Sequence, residues 1–100
     1  MSSDIYVQVV RNGKQIYSKV YLQKDNMSMQ EAAYYGGAAP YHRYQAFTLA
    51  NLDIRQQDLL IDLTNIDPKT SALYQYRVIN DVEPFPDVHM ELVLDRVIGT

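Results

Sequence analysis

There is no cysteine among the 100 residues. That absence removes disulfide staples, thiolate metal ligands and thiol nucleophiles together, and it fits assembly in a reducing cytoplasm. Tryptophan is missing as well, and phenylalanine occurs only twice, yet tyrosine occurs nine times. Tyrosine offers a large flat apolar face with a polar tip, which suits half-buried strands and protein interfaces alike. No uninterrupted apolar run approaches the roughly 20 residues of a membrane helix, so no membrane partner is expected. The opening MSSDIYVQ lacks the basic start and apolar stretch of a signal peptide. Asn26-Met27-Ser28 spells the glycosylation tripeptide, which without such a signal reads as a chance match. Positive charge is scarce too: the net charge is −3, and Lys and Arg are scattered singly. A protein that grips duplex DNA needs a basic stripe able to neutralise several phosphates, and none is visible.

What is present is one domain's worth of chain, with enough apolar residues for one modest core and no linker or repeat. Residues 4–10 alternate, placing Ile5, Val7 and Val9 on one face and Tyr6, Gln8 and Val10 on the other. Asn12-Gly13 follows, a pair that tolerates the positive φ of a two-residue hairpin turn. The return strand spans 15–23, with Ile16, Val20 and Leu22 inward and Tyr17, Lys19 and Tyr21 outward. Further strands are expected within 41–50, at Leu59-Leu60-Ile61, around Tyr74, Tyr76 and Val78, and at the end of the chain. In that last strand Val88, Met90, Leu92 and Leu94 point inward, with His89, Glu91 and Asp95 outward. Thr64 to Ser71 reads as a loop from its Asn, Asp and Pro content, and Glu83 to Asp87 as a rigid proline loop. About six strands with one short helical insertion make a mainly β fold, a small barrel or sandwich.

The insertion is 24–40. Ser28-Met29-Gln30-Glu31 is a capping box, in which Ser28 caps the Glu31 amide and the Glu31 side chain reaches back. Two helical turns follow, stopped by Gly36-Gly37 and Pro40. So short a helix is marginal alone, and something must hold it. Met27 and Met29 beside Tyr34 and Tyr35 form either an adaptable contact surface or a face packed back on the barrel.

Chemistry has little to work with. His42 and His89 lie on different strands without ligand spacing around them, a weak case for zinc. Asp58 and Asp62 read as a solvated strand edge rather than an acid–base pair. The serines lack a nucleophile-elbow context, and Gly36-Gly37 is no phosphate loop. Neither an enzyme nor a bound cofactor is expected.

The order of segments resembles a known family. Ser28-Met29-Gln30-Glu31-Ala32-Ala33-Tyr34-Tyr35 follows a strand and precedes a tyrosine-rich extended run; Asp53-Ile54-Arg55 leads into Asp58–Asp62, and Tyr76-Arg77-Val78-Ile79-Asn80-Asp81 into Pro84. Together they resemble the head–tail joining proteins of tailed bacteriophages, specifically the head-closure or stopper proteins of the neck. The resemblance spans most of 4–97, with Val82-Glu83-Pro84 replacing a tighter Asp-Pro corner. It implies a small barrel, assembled in the host bacterial cytoplasm, that joins a ring of its own copies in the virion neck. Portal or adaptor proteins and tail proteins would be neighbours, and double-stranded DNA would pass through the channel without tight binding. By the same resemblance Met27, Ser28, Met29, Gln30, Glu31, Tyr34 and Tyr35 belong to a channel-facing loop. Tyr41, Arg43, Arg55, Asp67 and Lys69 are the expected contacts between subunits of such a ring.

Other readings stay open: a tail-tube, tail-terminator or baseplate subunit; a single-strand-binding barrel; a small enzyme with a deep pocket. The second requires Arg43, Arg55 and Arg77 to cluster beside Tyr41, Tyr44 and Tyr76.

Overall fold

Asn12 and Gly13 take φ angles of 53° and 79°. Both are the left-handed values that a tight hairpin demands, and Arg11 and Lys14 pair directly across the turn. In the computed structural model, which describes residues 2–35 and 42–97, this hairpin joins β1 (Ser2–Arg11) to β2 (Lys14–Asn26). The helix α1 (Met29–Tyr34) follows, then β3 (Arg43–Thr48), β4 (Leu59–Asp67), β5 (Ala72–Val78) and β6 (Met90–Arg96). All strand pairs are antiparallel, and they close a barrel in the order β1-β2-β3-β6-β5-β4.

Alternation then decides what fills the barrel. Ile5, Val7 and Val9 of β1 meet Val20 and Leu22 of β2, Leu60 of β4, Tyr76 and Val78 of β5 and Met90, Leu92 and Leu94 of β6 in one core. Closure also leaves few free edges, which is how small β-proteins limit unwanted strand pairing.

Four sequence expectations need correction. Tyr17, expected outward, packs against the core, and its hydroxyl accepts a hydrogen bond from the Asp53 amide at 2.8 Å. The cause is a bulge: Val7 pairs with Val20 but Val9 with Tyr17, so β2 carries an extra residue and its alternation resets. Thr64 to Asp67 belongs to β4 rather than to a loop. There a second bulge separates the Ile61–Gln75 and Ile66–Leu73 pairs, and pairing resumes beyond it before the turn closes on the Asp67 carbonyl.

Asp58 and Asp62 are not a solvated edge; each is 1% exposed. Arg11 grips Asp58 through two bonds, Nε to Oδ1 at 2.8 Å and Nη2 to Oδ2 at 2.9 Å, and the Arg55 amide adds a third. Asp62 accepts from the amides of Thr64 and Asn65 and from Asn65 Nδ2, which holds the β4 bulge together. Burial of such groups is tolerated only because their acceptor sites are filled. Val88, finally, is 66% exposed and precedes β6. The proline loop gives its bonds to another loop, Phe85 N to Leu52 O and Asn51 N to Pro86 O, so strand pairing starts only at Met90.

Candidate assembly surface

The Ser28 hydroxyl accepts from the Glu31 amide at 3.1 Å and donates to the Glu31 carboxylate at 2.8 Å, closing the capping box through its side-chain arm. With six residues, α1 cannot stand alone. It lies outside the barrel, and of its residues only Ala32 is buried. Burying that methyl contributes about 0.8 kcal/mol. The larger anchor is Arg43, whose Nη1 donates to the Ala32 carbonyl at 2.6 Å. A hydrogen bond from a charged donor contributes about 1.5–3 kcal/mol, so Arg43 holds the helix more than apolar burial does.

Arg43 therefore departs from its expected place. It is 4% exposed, and its guanidinium also forms a bidentate pair with Asp95, its cross-strand partner on β6. That carboxylate raises the Arg43 pKa further, against the opposing effect of burial. Asp95 and Ala32 are the partners that sequence reasoning missed; nothing local marks a cross-strand neighbour 52 residues away.

The rest of the helix faces out. Tyr34 is 84% exposed, Met29 58% and Tyr35 44%. The two tyrosine rings meet edge to face at 5.3 Å, a stacking geometry that presents apolar area in a fixed shape. Met27, Gln30, Glu31, Tyr34 and Tyr35 line a groove of about 360 Å³ whose floor includes Gln45 of β3. Of the expected channel-loop residues, these five line one groove, and Ser28 and Met29 are not part of its lining. Gly36, Gly37, Pro40 and Tyr41 lie outside the described residues.

The other expected subunit contacts are scattered. The Arg55 side chain is half-exposed and pairs with Asp53 at 2.8 Å. Burial works against the Asp53 carboxylate, but hydrogen bonds from Arg55 and Arg11 outweigh it and hold its pKa below the ordinary value. Asp67 and Lys69 sit at the β4–β5 turn, where the Asp67 carboxylate accepts from the Lys69 amide. Of the arginines and tyrosines of a single-strand platform, those on described strands fall on opposite faces. Arg43 and Arg77 flank Asp95 on the outer wall, whereas Tyr44 and Tyr76 point inward.

Among the described residues no group of three or more His, Asp or Glu could hold a metal ion, and no helix is long and apolar enough to cross a membrane. Comparison of the chain with protein families, with curated proteins and with solved structures finds no match in any of the three.

Proposed function

We propose that this protein is a structural subunit of the phage neck, a head-closure or stopper component that joins the DNA-filled head to the tail and helps retain packaged DNA. The observation that carries the assembly part of this reading is the exposed tyrosine pair Tyr34 and Tyr35, which lines one groove with Met27 at the end of α1. It presents exposed aromatic area, and a charged clamp from Arg43 fixes its helix to the barrel. A surface of that kind suits burial against a neighbouring chain better than solvent. The neck assignment itself rests on the order of segments along the chain.

In this reading the barrel is the frame and α1 with its groove is the joint. The clamp at Ala32 lets the segment shift as a unit when a partner arrives, because one charged bond is easier to exchange than a packed core. A net charge of −3 keeps the channel surface from gripping DNA that must slide past.

Electron microscopy of particles assembled without the protein tests the assignment. Heads that fill, leak DNA and carry no tails are the expected result; intact tailed virions would overturn it.

A further inference from the structure

One end of the barrel carries a charged layer where more core would be expected. Above Ile5 and Tyr76, every strand contributes to a polar mouth of about 270 Å³: Lys24 from β2, Tyr44 from β3, Asp62 and Asn65 from β4, Tyr74 from β5 and Arg96 from β6 among them. Lys24, Asp62 and Arg96 have the same parity as the core residues Leu22, Leu60 and Leu94 on their strands, so the inward-facing series ends in charge.

The two cations are under-used. Lys24 Nζ donates to the Tyr76 hydroxyl at 3.1 Å and sits 4.4 Å over the Tyr44 ring. Among the described residues it has no carboxylate hydrogen bond, and burial lowers its pKa. The Arg96 guanidinium lies 5.5 Å from the Tyr74 ring centre, and its buried Nε has no hydrogen-bond partner among the described residues. Asp62 offsets one of the two charges at a distance, but its oxygens take the Thr64 and Asn65 donors, so it gives neither cation a direct hydrogen bond among the described residues. The mouth thus holds two positive charges against one negative in a protein whose net charge is −3. Leaving a buried donor unpaired is costly, more so for a charged group, so the arrangement has a use for an anion.

We propose that the barrel mouth binds a carboxylate, held between the Arg96 guanidinium and the Lys24 ammonium and flanked by tyrosine rings. A monoanion matches the excess of one charge, and a planar carboxylate matches the flat guanidinium edge. A phosphate dianion would reverse the excess within a partly desolvated space. Mouths of small barrels are common ligand sites because the strands fix the lining side chains. The carboxylate belongs either to a free small molecule or to a second copy of this chain, and the site is independent of the neck reading.

The test is a two-dimensional amide NMR titration of the whole chain with sodium benzoate, with neutral benzamide and with inorganic phosphate. Expected are saturable benzoate shifts confined to residues around Lys24, Tyr44, Asn65 and Arg96, and none with the other two probes. R96Q should weaken benzoate binding roughly tenfold or more, as loss of a charge-assisted bond implies. K24M gives the same reading if R96Q fails to fold. Mouth signals that move with protein concentration and are reversed by benzoate identify the second copy as the source; signals that do not move identify a free carboxylate. No saturable benzoate response, an equal response to benzamide, or a response to phosphate alone overturns the proposal.

Discussion

Arg43 and Asp95 face each other across β3 and β6 and are joined by two hydrogen bonds, Nε to Oδ1 at 2.6 Å and Nη2 to Oδ2 at 2.9 Å. The third arm of the same guanidinium holds the Ala32 carbonyl, so one side chain ties barrel wall to helix. Arg43→Met should lower stability by about 2–3 kcal/mol, since it takes the charged donor from Asp95 and leaves the Ala32 carbonyl with the Tyr35 amide in place of the guanidinium. Urea denaturation measures the loss. Hydrogen exchange should show 29–35 released while the β1–β2 hairpin stays protected, which separates a lost clamp from a lost fold.

Arg11 and Asp58 form the second internal lock, at the opposite end of β1 from the polar mouth. Arg11→Met should cost about 3–5 kcal/mol, because, of the described donors to the buried Asp58 carboxylate, it leaves the Arg55 amide. Asp58→Asn should cost less, since Arg11 retains Asp53. Equal losses in chemical denaturation would contradict this ordering.

Gly13 has open space where a side chain would project, so any penalty there comes from its φ of +79° alone. Gly13→Val should destabilise by about 1 kcal/mol or more, read as a fall in melting temperature. An unchanged melt would remove the turn's role in fixing the hairpin.

The Asp53 carboxylate titrates below its ordinary 3.8 in the folded chain. The unfolded chain therefore takes up protons first as pH falls. The Asp53 contribution is fully present above pH 3.8 and fades as pH drops through the folded value. Denaturation curves measured through that window should be shallower in pH for Asp53→Asn than for the parent.

The barrel was legible in the sequence because alternation and one Asn-Gly turn are local signals. The core faces of β1, β5 and β6 follow from them almost residue by residue, as does the capping box at Ser28 and Glu31. Bulges are a different matter. The extra residue that turns Tyr17 inward leaves the composition of β2 unremarkable, and the Asp62 bulge uses the same residue types as a loop. Long-range pairs were the other blind spot. Arg43 reads as surface charge until the fold sets Asp95 opposite it, and Lys24 and Arg96 meet only when the barrel closes.

The proposed assembly role of α1 is tested most directly by hydrogen exchange of 27–35 in the free protein and in neck complexes reconstituted with portal and adaptor. Free, these amides should exchange far faster than those of β2 and β6, because among the described residues the helix is tied to the barrel by the Arg43 clamp and by one buried methyl. In the complex they should become protected as Met29, Tyr34 and Tyr35 are covered. Incorporation of the protein with 27–35 exchanging as fast as before would contradict the account.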